Sequence, residues 1–278
     1  MRYPLPNVVV IGSLNLDLTA VADRLPTPGE TIGGGVLTRN AGGKGANQAA
    51  AASRLGASVR MIGAVGDDPD GDWMLDELRS AGVDVDGVRL VDEPTGTALI
   101  AVDSDAENQI VVCTGANGSL TADDIDVRDD DVVLTQLEVD MGIVIALVEH
   151  THKFLAVNAA PAQPLDPKLI DHVDLFIVNE SEYALMPELR GAKRVAVTYG
   201  GDGAAMITDG VETARVPAIR VQPVNTVGAG DSFCAALTLA LTSGMDDEAA
   251  LRVACAVGAD AVTDPSSQPT FDELSTYM

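Results

Sequence analysis

The chain has 278 residues and 46% hydrophobic residues, enough to bury a sizeable core in one large domain with a small appendage. Aspartate and glutamate number 42 against 17 lysine and arginine residues, and the net charge of −25 disfavours nucleic acid and anionic membranes as partners. No apolar run is long enough to span a membrane and no signal peptide precedes the first predicted strand. The three scattered cysteines, Cys113, Cys234 and Cys255, predict buried thiols in a reducing cytoplasm.

The N-terminal part of the chain predicts one core strand and then a small sheet. Val8–Ile11 is a continuous apolar run, whereas residues 13–39 are rich in glycine, threonine and proline and predict hairpin strands. Asn15 and Asp17 alternate in this region, so they share one face of a strand. A polar edge strand would give the same pattern.

A glycine-rich segment, Ala41–Gln48, leads into an alanine-rich helix pattern, Ala49–Leu55. Lys44 and Asn47 provide polar groups at the start of that helix. The spacing is neither that of a nucleotide P-loop nor that of a dinucleotide fingerprint. Lys44 could be a solvated surface lysine, but it is one of only four lysines in the chain, which favours a specific role.

The middle of the chain alternates apolar strands with helices, which predicts an α/β fold with a doubly wound, mostly parallel sheet. The predicted strands are Val59–Val65, Val132–Leu134, Phe154–Asn158, Leu175–Val178 and Arg194–Thr198; the predicted helices are Trp73–Ala81, one near Ile143–Thr151, and two that begin at Ser232 and Asp247. Asn158, Asn179 and Thr198 follow or end strands, where such sheets bind ligands.

A second hairpin, Thr97–Val102 with Gln109–Cys113, completes the predicted small sheet. The expected division is a main domain of residues 1–12, 40–94 and 114–278, and a discontinuous small-sheet domain of residues 13–39 and 95–113.

The segment Asn225–Phe233 carries the strongest chemical signal. Its small residues bring backbone amides together at the start of the helical run Phe233–Leu241, where orphan N–H groups and the helix dipole favour an anion. Asp231 lies inside that anion site, which suits a base that takes a proton during phosphoryl transfer to a hydroxyl. The alternative is a glycine-rich turn in which Asp231 caps the helix.

These two glycine-rich segments resemble the two signature regions of the PfkB-type, ribokinase-like carbohydrate kinases, and the resemblance is greatest to the ribokinase branch. It covers nearly the whole chain, because further motifs follow in the family's order: Gly12–Asp17, Leu25–Thr31, Thr95–Ile100, Gln136–Glu138, Asn158–Ala162, Asn179–Glu182 and Thr198–Gly203. It implies a main α/β domain covered by a lid, which is the small sheet.

The resemblance also implies roles for individual residues. Those matching the sugar site are Asn15, Asp17, Gly43, Lys44, Asn47, Glu138 and Asp231. Those matching the catalytic centre are Asp231 as the base, with Gly228, Ala229 and Gly230 as the anion hole. Those matching the nucleotide side are Asn179, Thr198, Gly200, Gly203 and Gly230, with Glu182 organising Mg²⁺, partly through water. From the residues alone, Glu138 could be a solvated strand end, and Asn179 with Glu182 could be a helix capping box.

The monovalent-cation position departs from the family pattern. Asn225 stands where these kinases usually have aspartate, and Asp264–Pro269 replaces a glycine-containing turn. Asn225 and Val227 are the candidate ligands for K⁺, and the lost charge predicts a weaker site or none.

The resemblance therefore implies ATP-dependent phosphorylation of the primary 5-hydroxyl of D-ribose. The alternatives are a nucleoside, another sugar or a sugar phosphate as acceptor, and a catalytically silent regulator that binds sugar or nucleotide. The aromatic content of 3% leaves few rings for stacking a base. A homodimer through the lid sheets is also predicted, because the small sheet alone buries little. The side chains expected to gain a partner are Leu14, Leu16, Leu18, Ile100 and Val102.

Overall fold

The computed structural model describes residues 5–105 and 107–278, which form two sheets flanked by helices. The strands are β1 (Asn7–Ile11), β2 (Asn15–Val21), β3 (Val36–Gly42), β4 (Ser58–Gly66), β5 (Asp84–Val91), β6 (Gly96–Val102), β7 (Asn108–Cys113), β8 (Val132–Gln136), β9 (Phe154–Asn158), β10 (Leu175–Asn179), β11 (Arg194–Thr198), β12 (Ala204–Thr208) and β13 (Val211–Val216). The helices are α1 (Lys44–Arg54), α2 (Pro69–Ser80), α3 (Met141–Leu147), α4 (Pro167–His172), α5 (Glu180–Leu185), α6 (Ala229–Thr242) and α7 (Asp247–Ala261).

The large sheet has the order β13-β12-β11-β10-β9-β8-β1-β4-β5. All pairs from β11 to β5 are parallel, while β12 is antiparallel to both of its neighbours. Its central strands are apolar along their length because both faces are covered: α1, α2, α6 and α7 pack on one face, and α3 and α4 on the other. The predicted doubly wound, mostly parallel sheet is confirmed.

The strand order reverses at β1, which lies between β4 and β8. The chain leaves β1 toward β4 and β5, and later returns to β8 on the opposite side. A crevice therefore opens at the carboxyl ends of β1 and β8, which is where sheets of this kind bind ligands.

The small sheet has the order β3-β2-β6-β7, with β2 parallel to β6 and the other pairs antiparallel. Strand β3 continues to Gly42, so the predicted boundary at residue 39 falls inside a strand of this sheet. Of the apolar residues expected to need a dimer partner, Leu14 and Leu16 are already buried within the chain, with exposed fractions of 0% and 3%. These two residues therefore need no dimer partner: Leu14, just before β2, packs into the main core, and Leu16 is buried within the chain.

A side-chain contact between β3 and α2 holds the small sheet against the main body. The Arg39 guanidinium lies 4.2 Å from the centroid of the Trp73 ring, and its Nη2 is 2.8 Å from Asp70 Oδ1. Cation–π attraction and the ion pair both favour this placement, although each is exposed and individually modest.

Two smaller sequence predictions also differ from the structure. Cys113 is exposed on β7 because every residue of that edge strand is exposed; Cys234 is buried as predicted, and Cys255 is partly buried. The helix predicted near residues 143–151 is α3, which is shorter and ends at Leu147. Within the described residues, no helix has the length and apolar character needed to cross a membrane.

Candidate active site

The crevice between β1 and β8 contains a carboxylate with fixed partners. Glu138 follows β8, and its Oε2 accepts hydrogen bonds from the Ser13 hydroxyl and from the Lys44 backbone N–H, the latter at 3.0 Å. Ser13 follows β1 and Lys44 begins α1. The end of β8, the end of β1 and the start of α1 therefore meet at one carboxylate, so Glu138 is not a freely solvated strand end.

The small sheet contributes two polar residues to the same crevice. Asn15 and Asp17 lie on one face of β2, and Asn15 Oδ1 accepts from Asn117 Nδ2 at 2.8 Å. The Asp17 carboxylate lies against Gly42, where an added Cβ would be 2.2 Å from Asp17 Oδ2, so only glycine leaves room for it. Burial, followed by the charges of Glu138 and Asp231, raises the pKa of Asp17 to about 7.

Asp231 lies in the first turn of α6 and is buried. Gly228 precedes that helix with φ +80°, and a Cβ there would be 2.1 Å from the Ser267 carbonyl oxygen. Both facts require glycine. The N–H groups of the first helical turn lack partners within the helix, and around Gly230 there is open space beside the backbone. The start of α6 therefore offers amides to an anion beside the Asp231 carboxylate.

Two adjacent residues of α1 bind the Asp231 carboxylate. Asn47 Nδ2 donates to Oδ2 and Gln48 Nε2 donates to Oδ1, both at 3.0 Å. Burial raises the pKa of Asp231, while the Lys44 charge and the two amide donors oppose that rise. For Lys44, burial lowers the pKa, but the carboxylates of Asp231 and Glu138 outweigh it, so the pKa is raised and the ammonium stays charged.

A cavity of about 230 Å³ lies beside Asp231 at the carboxyl ends of β9, β10 and β11. Polar residues that line it are Lys44, Asn158, Asn179, Glu182, Thr198, Thr226 and Asp231, together with Gly228 and Gly230. Lys44 and Asp231 thus border both this cavity and the crevice that holds Glu138 and Asp17. The arrangement provides two adjoining compartments, one with amides for an anion and one with several hydrogen-bonding groups for a polyol.

The remaining predicted residues occupy structural positions at or after the ends of β10 and β11. Asn179 and Glu182 form the capping box of α5, with reciprocal bonds of 2.8 Å, so the structural alternative holds. Gly200 lies in an exposed turn after β11, and Gly203 is buried where a Cβ would be 2.0 Å from the Val216 carbonyl oxygen. Neither of these two glycines lines the 230 Å³ cavity.

The cation candidates are tied to each other and to the C-terminal loop. Asn225 Nδ2 donates to the Pro265 carbonyl oxygen, and Asn225 Oδ1 accepts from the Val227 N–H, both at 3.0 Å. The amide NH₂ thus faces a carbonyl oxygen, and the amide oxygen faces a backbone N–H. The side chain of Asn225 joins this loop to the segment before α6.

Several site residues had no role in the sequence interpretation: Ser13, Gln48, Asn117, Ser267 and Gln268. Ser267 donates to the Ala41 carbonyl at 3.0 Å, and Gln268 Nε2 donates to Asn47 Oδ1 at 3.2 Å. These contacts join residues more than two hundred positions apart. Gln48 lies inside the first glycine-rich segment, Ser13 inside Gly12–Asp17, and Ser267 and Gln268 inside Asp264–Pro269, so these four carried a signal that could have been followed.

Comparison with known proteins agrees with this geometry. The pattern of the "pfkB family carbohydrate kinase" matches residues 5–274. Ribokinase of Bacillus subtilis strain 168 is 37% identical, over 98% of this chain and 99% of its own, and deoxyribokinase of Salmonella typhi is 32% identical, over 98% of both. The structure of Arabidopsis thaliana ribokinase complexed with ribose and ATP superposes with a TM-score of 0.89 at 30% identity, covering 99% of this chain and 98% of that one. The chain therefore belongs to the pfkB family of carbohydrate kinases.

Proposed function

We propose that the protein phosphorylates the primary 5-hydroxyl of D-ribose, with ATP as the phosphate donor. The strongest support comes from the position of Asp231, whose carboxylate lies between the amides at the start of α6 and the polar crevice around Glu138. Relatives named ribokinase, and one whose structure contains ribose and ATP, support this choice of sugar and donor.

In the proposed reaction, Asp231 accepts the proton of the attacking hydroxyl. Its raised pKa brings the base closer to the pH at which it works, which favours proton transfer. The amides of Gly228, Ala229 and Gly230 stabilise the charge on the transferring phosphoryl group. The Lys44 ammonium, held charged by Asp231 and Glu138, adds positive charge beside the same point.

The proposed sugar contacts come from Asn15, Asp17, Gly43, Lys44, Asn47 and Glu138. Carboxylates accept from hydroxyl groups and the amides can both donate and accept, so each sugar hydroxyl finds a partner. A hydroxyl that is absent leaves a buried polar group unpaired, which is how such a site rejects a wrong sugar. Closure of the small sheet over this crevice would exclude water and limit hydrolysis of ATP.

The metal chemistry fits Mg²⁺ held mainly by phosphates and water. Among the described residues, no three histidine, cysteine or acidic side chains come together as a metal cage. Mg²⁺ does not need such a cage, because it keeps several waters and binds through one or two carboxylates and the substrate's phosphates. Glu182 at the cavity edge is the proposed carboxylate, and the bound ion would neutralise phosphate charge. The nucleotide would also contact Asn179, Thr198, Gly200, Gly203 and Gly230.

The donor set around Asn225 fits K⁺ poorly. The Asn225 carbonyl oxygen already accepts from Val227, and its NH₂ group points at Pro265. This supports a weak monovalent-cation site or none.

We also propose that the protein works in the cytoplasm, where ATP is available.

A homodimer through the small sheets is part of the proposal. Both edge strands of this sheet expose large apolar side chains: Val36 (64%) and Leu37 (66%) on β3, and Ile110 (54%), Val111 (61%) and Val112 (57%) on β7. Sedimentation equilibrium at micromolar concentration should show a dimer, and Ile110→Asp should shift it to monomer. A wild-type protein that is monomeric and fully active would contradict the dimer.

The decisive experiment is an ADP-release assay over a panel of ribose, 2-deoxyribose, other sugars, a sugar phosphate and nucleosides. We expect the highest kcat/KM with ribose. A higher kcat/KM with 2-deoxyribose would indicate a deoxyribokinase, which is the name of the Salmonella typhi relative. A higher kcat/KM with a nucleoside would indicate a nucleoside kinase. No turnover with any acceptor, together with measurable sugar binding, would indicate a binding regulator.

Asp17→Ala should raise the KM for sugar far more than the KM for ATP, and equal effects would remove Asp17 from the sugar site.

A further inference from the structure

A chain of buried side-chain amides lies behind Asp231. Gln48 Nε2 donates to Asp231 Oδ1 and to Asn158 Oδ1, both at 3.0 Å, and Gln48 Oε1 accepts from Gln136 Nε2 at 2.7 Å. Gln48 and Gln136 are fully buried, and Asn158 is 7% exposed. Gln48 thus connects the carboxylate on α6 with the ends of β8 and β9.

The orientation of every amide in this chain is fixed by groups that can only accept. When the Asp231 carboxylate is ionised it has no hydrogen, so the NH₂ group of Gln48 faces it. Asn158 Nδ2 donates to the Ile177 carbonyl at 3.0 Å, so Asn158 turns its oxygen toward Gln48. Turning the Gln48 amide over would place its oxygen against two acceptors. The NH₂ group of Gln136 must therefore face Gln48 Oε1.

The contacts also fix the rotation of the carboxylate. Asn47 binds one carboxylate oxygen and Gln48 binds the other, from consecutive positions of α1. Two donors on two oxygens define the plane of the group, which a single donor would leave free to rotate. In a buried site, a hydrogen bond to the charged form favours ionisation, and a donor that itself accepts a hydrogen bond is further polarised.

We propose that Gln48 is a positioning residue that keeps Asp231 ionised and correctly rotated, and that Gln136 and Asn158 hold Gln48 in the orientation this requires. This inference rests on the proposed function, in which Asp231 is the general base. Other charged or titratable groups also face Asp231: Lys44 on α1, Glu138 after β8, Asp17 on β2 and Cys234 on α6. The amide chain controls one part of the proton affinity of Asp231, while burial, Asn47 and these four groups control the rest.

The test is the pH dependence of kcat for Gln48→Met at saturating sugar and ATP. Methionine keeps the length of the side chain and removes the donor. Loss of a hydrogen bond to an ionised group should move the acid limb of the kcat profile up by about one to two pH units. Well above the limb, kcat should stay below the wild-type value, because Asn47 alone leaves the carboxylate free to rotate, and the KM for ATP should be unchanged. Titration of Asp17 is followed separately, through the pH dependence of sugar binding.

Two further variants make the result specific. Gln136→Met leaves the contact between Gln48 and Asp231 in place but frees the orientation of the amide, so it should move the limb in the same direction by a smaller amount. It also serves as the test if Gln48→Met fails to fold. Thr238→Val is the control, because Thr238 is equally buried on α6 and its hydroxyl donates to the Cys234 carbonyl of its own helix, at 2.8 Å. Its acid limb should match wild type.

A loss of kcat by the same factor at every pH, with the acid limb unmoved, would overturn the proposal and leave Gln48 a packing role. An unchanged profile would overturn it as well. Asp231→Asn tests the role of Asp231 as the base separately from the role of Gln48. If that variant retains normal turnover, the base assignment fails; if it is inactive while the limb of Gln48→Met stays in place, only the inference about Gln48 fails.

Discussion

Replacing Asp17 by asparagine should make the ligand-free protein more stable at alkaline pH. The pKa of Asp17 is raised from 3.8 to about 7, first by burial and then by the carboxylates of Glu138 and Asp231. A shift of about three units, at about 1.36 kcal/mol each, means that ionising this side chain costs the folded protein up to about 4 kcal/mol. Among the described residues, the carboxylate has no hydrogen-bond donor that asparagine would lose.

The direction in which the stability difference changes with pH follows from the raised pKa of Asp17. Well below pH 3.8 the carboxyl is protonated in folded and unfolded chains alike, so wild type and Asp17→Asn should have the same stability. As pH rises toward 7, the unfolded chain ionises first and the wild type loses stability relative to the variant. Above pH 7 the difference is complete. A domain of this size shifts by about 2–4 °C per kcal/mol, so the melting temperature should rise by several degrees at pH 8.

The assay is thermal unfolding of both proteins from pH 4.5 to pH 8.5 at constant ionic strength, without sugar or nucleotide. Asp129→Asn, at an exposed loop position, changes the net charge equally and should show no comparable pH-dependent gain. Refutation would be a melting temperature for Asp17→Asn that equals or falls below wild type at pH 8. In that case the crevice would solvate the Asp17 charge well, and the electrostatic account of the sugar site would need revision.

Three further outcomes are expected. Asp231→Asn should lower kcat by about 10²–10⁴-fold while calorimetry still detects sugar binding, because the amide cannot take the proton; near-normal turnover would exclude Asp231 as the base. Gly228→Ala should cut kcat and destabilise the protein, because φ is +80° and the new Cβ would meet the Ser267 carbonyl; a normal melting curve would show that the loop gives way easily. Asn225→Asp sets a carboxylate against the Pro265 carbonyl, so K⁺ should activate this variant more than wild type, with Na⁺ as control. Equal, saturable activation of both would show that charge at this position is irrelevant.

The strands and helices that could be predicted are those with a distinctive local residue pattern. Continuous apolar runs identified the central strands of the large sheet, and glycines before alanine-rich runs identified the starts of α1 and α6. The strands β5, β12 and β13 were not assigned. β5 and β13 are exposed edge strands that mix polar and apolar residues without a clean period, whereas β12 is an inner strand of only five residues.

The partners of the site residues could not be predicted for a different reason. Gln48 contacts Asp231 across 183 positions, and Gln268 contacts Asn47 across 221. No local pattern specifies such pairs, because they depend on how α1, α6 and the C-terminal loop pack together. The same limit applies to the direction of the Asn225 amide. Asn225 was predicted to be a cation ligand, but in the structure its NH₂ group donates to the Pro265 carbonyl.

The contacts of the C-terminal loop have a consequence for synthesis on the ribosome. Ser267 binds the Ala41 carbonyl, Gln268 binds Asn47, and Gly228 packs against the Ser267 backbone. Both glycine-rich segments are therefore held by residues that are translated after them, in the case of the first segment more than two hundred positions later. A nascent chain can form the first strands and α1 early, but it completes neither compartment until this loop has left the exit tunnel. Incomplete chains ending before residue 264 should therefore capture neither sugar nor nucleotide.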